Sequence, residues 1–175
     1  MLDVSVSYNR YKFLGNEFLT WLWFVVENKP SFLNKIDKNL TSLHVGNRIV
    51  CENNRNDVGE SITIKGDDAG LEEGILSLRK GAVVTELNLS YTSGDHQWTF
   101  TVKGESINIS NLKTPETGPV DSKEDIEGAV IEKAYLYDCI ISLINKLFST
   151  FVKLRISPDW KKNEVQNIKK WILYP

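Results

Sequence analysis

Histidine and cysteine are nearly absent from this chain: two of each in 175 residues, His44 and His96, Cys51 and Cys139. None stands at metal-ligand spacing. There is no HExxH, no CxxC and no glycine-rich phosphate loop, so zinc-site and nucleotide-loop chemistry have no foothold. Both cysteines lie in apolar runs and read as reduced, buried thiols of a cytosolic protein. An excess of charge of one sign is lacking too. Twenty-one basic residues face 23 acidic ones, for a net charge of −2 and a pI near 5.8. No global field draws the chain to nucleic acid, so any such binding must come from local charge arrangement. Long hydrophobic runs are missing. The most apolar, residues 18–26, is too short for the roughly 20 residues of a membrane span, and we expect neither a membrane segment nor a signal peptide. Repeats and low-complexity segments are absent.

What is present reads as one α+β domain over 1–175. A chain this long can bury about 70% of its unfolded surface, and so needs no disulfide or metal to fold. Residues 2–7 alternate and predict a short strand. Asn16 is placed to cap a helix over 17–28, apolar nearly all round, with Glu17, Thr20 and Glu27 as its polar stripe. That stripe is either a solvated edge or a set of acidic groups facing a ligand. Pro30 ends the helix. Residues 43–50 suggest a tight hairpin turning at Gly46-Asn47, and 53–59 a polar loop. The segment 61–113 then reads strand, helix, and an antiparallel meander of three strands turning at Ser93-Gly94-Asp95-His96 and Lys103-Gly104-Glu105. The helix runs over 67–80 with Leu71, Ile75 and Leu78 as its stripe, and it stops at Gly81. A Pro- and Gly-bearing connection, 113–122, leads to a long helix over 122–152. Its stripe is Ile126, Val130, Ala134, Tyr137, Ile141, Ile144, Phe148 and Phe151. Ser157-Pro158 opens a last helix. Strands and helices come in blocks, so the fold class is α+β, an antiparallel sheet covered by helices.

The search for catalytic groups finds little. The densest acidic cluster, Asp67-Asp68 with Glu72-Glu73, is explained more simply by the positive end of a helix than by a divalent ion. Basic character gathers in two places. Arg79 and Lys80 close the middle helix, with Lys65 and Lys103 in the same unit. On the last helix Lys162, Asn163, Gln166, Lys169 and Lys170 share an arc of about 120° opposite Val165 and Ile168. From 153 to 170 six basic residues (Lys153, Arg155, Lys161, Lys162, Lys169, Lys170) outnumber two acidic ones, Asp159 and Glu164. Lysines along one face are either an ordinary solvated surface or contacts to phosphates. The aromatic faces of Trp21, Trp23 and Phe24 and the long stripe from Ile126 offer more apolar surface than one small sheet covers, and they suggest self-association or a protein partner.

The order of these elements resembles RdgC, a recombination-associated DNA-binding family of bacteria. The similarity lies in Ile62-Thr63-Ile64-Lys65, Leu71-Glu72-Glu73-Gly74-Ile75, Gly81-Ala82-Val83-Val84-Thr85-Glu86-Leu87, Trp98-Thr99-Phe100, 107–113 and the apolar helix 135–151. The block Glu17-Phe18-Leu19-Thr20-Trp21-Leu22-Trp23-Phe24 is similar to one in divergent members. The resemblance covers about 14–155. It implies a nucleoid protein of the cytoplasm that binds DNA with little sequence preference as a ring-shaped dimer with a basic hole. The family has also been named an exonuclease. Ala82 stands where the family carries a lysine, and Gly66-Asp67-Asp68 where it carries a basic run. Arg79 and Lys80 supply positive charge just ahead of Gly81. The expected DNA contacts are therefore Lys65, Arg79, Lys80, Lys103, Lys162, Lys169 and Lys170, with no catalytic, metal or cofactor residue. The rivals are a protein-interaction or oligomerisation module that has lost DNA binding, and a nuclease.

Overall fold

In strands β1 (Ser42–Asn53), β2 (Glu60–Lys65), β3 (Val83–Ser93), β4 (His96–Lys103) and β5 (Asn108–Lys113), side chains alternate between two faces, and the pairing register sorts them by polarity. A computed structural model, which describes residues 4–53, 60–66, 68–118 and 122–174, places these strands in one antiparallel sheet of order β2-β1-β3-β4-β5. Ile64, Ile49, Leu87, Val102 and Ile109 stand opposite one another across all five strands and form an apolar row. One residue along, Lys65 faces Arg48 and Glu86 faces Lys103, so the other face is polar.

Among the described residues five helices accompany the sheet: α1 (Val4–Asn28), α2 (Pro30–Ile36), α3 (Asp68–Arg79), α4 (Lys123–Ile156) and α5 (Val165–Leu173). A single widened π turn, Trp160–Glu164, leads into α5. The meander β3-β4-β5, α3, the closing long helix and the α+β class agree with the sequence pattern. Gly81 ends α3 with φ +90°, a conformation that favours glycine. Ser122 and Asp125 form a reciprocal capping box at the start of α4. The expected polar loop at 54–59, Asp67 in the acidic helix start, the side chain of Leu71 and Pro119 lie outside what is described.

Four expectations are corrected. The stretch read as a strand over 2–7 is helical from Val4, with 1–3 outside the described residues. A helix already formed downstream extends at one hydrogen bond per residue, whereas an isolated strand would need a sheet partner. Asn16 accordingly lies inside α1 and does not cap it. Its carbonyl accepts the Thr20 hydroxyl at 2.9 Å. The hairpin expected at Gly46-Asn47 is instead a bulge within β1. The register jumps from Val45–Leu89 to Ile49–Leu87, setting Gly46, Asn47 and Arg48 against Asn88. A Cβ at Gly46 would overlap the Asn88 amide, which fixes the bulge there. Finally, the aromatics of α1 are not open to a partner.

The burial of these aromatics follows from where α1 lies. The sheet covers one side of it, and α2, α4 and α5 pack on the others, with Glu164 of the π turn bonded to Trp21. Phe18, Trp21 and Trp23 are all 0% exposed, and Phe24 is buried. Trp21 packs with Phe18, Phe32 and Phe151, while Trp23 meets Trp171 edge to face at 5.2 Å. A helix apolar all round is thus accounted for by its own chain. Glu17, from the polar stripe, pairs with Arg155 at 2.6 Å, which ties α1 to the end of α4. Ser157 caps the end of α4, donating to the Leu154 carbonyl at 2.7 Å.

Candidate nucleic-acid interface

The seven expected contact residues fall in two places, divided differently from the sequence grouping. Lys65 and Lys103 project from the polar face of the sheet. Lys103 Nζ lies 3.4 Å from Glu86 Oε1, and Arg48 Nη2 lies 3.2 Å from Glu86 Oε2. One carboxylate is therefore shared between two cations, and with Lys65 opposite Arg48 the row Lys65–Arg48–Glu86–Lys103 carries a net charge of +2.

Arg79 and Lys80 sit on the other side of the molecule, at the end of α3. Arg79 Nε donates to the carbonyl of Ile172 in the last turn of α5. A guanidinium there satisfies an orphan carbonyl and meets the negative end of the helix dipole. This contact joins the two basic clusters that the sequence presented as separate. It also gives Arg79 a structural role, which leaves Lys80 as the exposed charge of that pair. Lys162 lies in the π turn and Lys169 and Lys170 on α5, all exposed. Among the described residues, Lys80, Lys161, Lys162, Lys169 and Lys170 have no acidic partner within ion-pair distance. Asp159, two positions before Lys161, accepts a hydrogen bond from Asn163.

The π turn is what aims this face. Within it both Trp160 and Glu164 are buried. Glu164 accepts from Trp21 Nε1 at 3.1 Å and from Lys29 Nζ at 2.6 Å. Trp160 packs edge to face on Phe151, with the Arg155 guanidinium 5.4 Å above its ring. With the apolar side of α5 pinned through Trp171, the lysines at 161, 162, 169 and 170 face outward. Val165, Ile168 and Lys169 also rim a mainly apolar cavity of about 350 Å³ shared with Phe13 and Asn16. Two basic residues were not among the expected contacts, Arg48 and Lys161. Arg48 was hidden in a segment read as a turn. Lys161 sits beside Lys162 and needed the π turn to be brought outward.

Catalytic chemistry has little to build on among the described residues. No group of three or more His, Cys, Asp or Glu residues is placed to hold a metal ion. A cleft of about 480 Å³ between the β3–β4 turn and α4 gathers Asp37, Tyr91, His96, Trp98, Asp138 and Cys139. Its best-placed carboxylate, Asp37, is already engaged, by Lys146 at 3.0 Å and by the Asn39 amide at 3.0 Å. Burial pushes the Tyr91 hydroxyl above its ordinary pKa, against a smaller opposing effect from a Ser93 hydrogen bond. Burial also pushes the Cys51 thiol up to about 11, which removes thiolate character at neutral pH. No described helix is long and apolar enough to cross a membrane. No family model matches the chain, and no curated protein matches it.

Proposed function

We propose that this chain binds the phosphate backbone of DNA without reading its sequence and without cleaving it, as a cytoplasmic, nucleoid-associated protein of recombination of the kind its resemblance to RdgC implies. The observation that carries this reading is the set of exposed lysines without acidic partners, Lys80 at the end of α3, Lys161 and Lys162 in the π turn and Lys169 and Lys170 on α5, with α3 and α5 joined by the Arg79–Ile172 contact. Lysine presents a compact charge with no fixed fork, suited to phosphate oxygens and unsuited to base edges. The row Lys65–Arg48–Lys103 on the sheet is a weaker second surface, because Glu86 offsets part of its charge.

Fluorescence anisotropy with labelled DNA tests this. K80E/K162E and K169E/K170E should each weaken binding at least tenfold, equally on unrelated sequences. Each double variant removes two phosphate contacts, so the log–log salt slope should shrink by about 1.8. Arg79 is left unchanged because its loss would disturb α5. Unchanged affinity in both variants would reduce the lysine face to a solvated surface and favour an interaction module. Degradation of linear DNA with Mg²⁺ or Mn²⁺ that survives purification would instead revive the nuclease.

A further inference from the structure

Among the described residues, exposed apolar side chains gather on the first half of α4. At 1.5 Å per residue this helix is about 51 Å long, and the body covers only part of it. From Asp125 to Tyr135 every residue but the half-buried Ala129 is exposed. Val130 is 62%, Ile131 71% and Tyr135 67% exposed. Burial starts at Leu136, whose carbonyl accepts the Trp98 indole at 3.1 Å, and continues through Ile140, Leu143, Ile144, Leu147 and Phe151. A free helix of a dozen residues is marginal in water even when capped, so this arm calls for a covering surface.

The same helix carries one further along. Beyond Ile141, α4 and α2 enclose an open groove of about 750 Å³, with Phe32, Ile36 and Ile141 as its apolar floor and Lys35, Lys146 and Lys153 around it. Asp138 is its one acidic lining residue, and Lys146 is already paired with Asp37. The arm over 123–135 has the opposite charge: Glu124, Asp125, Glu127 and Glu132 against Lys123 and Lys133, a net of −2. Ile126, Val130, Ala134, Tyr137 and Ile141 fall within an arc of about 80° at 100° per residue, so the apolar stripe of the arm runs on to the edge of the groove.

We propose that the occupant of the groove is the α4 arm of a second copy of this chain. Two α4 helices run antiparallel about a two-fold axis, and each lays its acidic, apolar arm into the basic, apolar groove of the other. Complementary charge and shape lie at opposite ends of one helix, so a single rotation satisfies both sites at once, as an isologous interface requires. Among possible occupants the second copy is favoured because it supplies both halves of the match.

Analytical ultracentrifugation tests this with the full chain. The wild type should sediment at twice its 19.9 kDa chain mass at tens of micromolar. I126E/V130E, at exposed positions away from the core, should give a folded monomer by circular dichroism. E127K/E132K alone and K35E/K153E alone should each weaken the dimer at least tenfold. An equimolar mixture of these two should restore it, because arm and groove are then of opposite sign at both sites of the heterodimer. A wild-type monomer would overturn the proposal. So would K35E/K153E remaining fully dimeric by itself, which would mean that arm pairs with arm and the groove is not used.

Discussion

Glu164 is the residue on which the aim of the basic face depends, and its removal should be costly. Its carboxylate is buried in the π turn, where it accepts from the Trp21 indole and the Lys29 ammonium. Replacing it by alanine leaves the Trp21 N–H, in a side chain 0% exposed, without an acceptor. An orphaned buried donor costs about 1–3 kcal/mol. Lys29 keeps partial access to water, so loss of its ion pair adds only about 0.5–1 kcal/mol. Glu164→Ala should therefore destabilise by about 1.5–4 kcal/mol. For a domain of this size, that lowers Tm by roughly 3–16 °C. Glu164→Gln keeps a carbonyl for the indole and loses only the ion pair, so it should cost about 0.5–1 kcal/mol. Thermal melts followed by tryptophan fluorescence and circular dichroism separate the two. If Glu164→Ala melted within 2 °C of the wild type, or Glu164→Gln cost as much as alanine, the indole–carboxylate contact would not be what holds the turn.

Two further tests address packing and the buried thiol. At Gly15 the backbone of α1 passes directly against that of Gly104 in the β4–β5 turn, and an added Cβ would overlap the Gly104 carbonyl. Gly15→Ala should thus cost about 2–3 kcal/mol in urea denaturation, whereas Gly128→Ala, with nothing near its would-be Cβ, should stabilise by about 0.5–1 kcal/mol. A neutral Gly15→Ala would refute that close crossing. Cys51 is buried, with its thiol pushed up to about 11 from an ordinary 9.0, while Cys139 is only half-buried. A thiol reagent at pH 8 should modify one cysteine of the native chain and two of the unfolded chain. Because the raised pKa favours the protonated folded form, this contribution to stability is complete below pH 9 and is lost as pH rises through about 11. Modification of both thiols in the native chain at equal rates would contradict the burial.

The meander was readable because Val83–Ser93 and His96–Lys103 alternate cleanly and a turn rich in Gly and Asp separates them. The long α4 was readable from its three-and-four spacing. Local patterns misled where tertiary contacts decide. The alternation at the N-terminus spans too few residues to outweigh extension of an adjacent helix. Gly46-Asn47 satisfies a hairpin turn and a bulge equally well, and only pairing of β1 along β3 distinguishes them. The burial of Trp21, Trp23 and Phe24 could not be read locally, since Phe151 and Trp171, which pack on them, lie more than 120 positions away. For the candidate interface, lysine periodicity marked the outer side of α5. Neither the engagement of Arg79 by Ile172 nor the π turn that buries Glu164 has a sequence signature.

A salt titration of DNA binding bears most directly on the central claim. Affinity of the wild-type chain for two unrelated sequences, single- and double-stranded, is measured by anisotropy between low and physiological salt. With about four phosphates neutralised by the lysine face, log affinity for the duplexes should fall against log salt with a slope near −3.6, and somewhat less steeply for the single strands. The two sequences should bind alike in each form, because backbone contacts carry no sequence information. Binding that is flat with salt, strong discrimination between the two sequences, or no binding at low salt would contradict it.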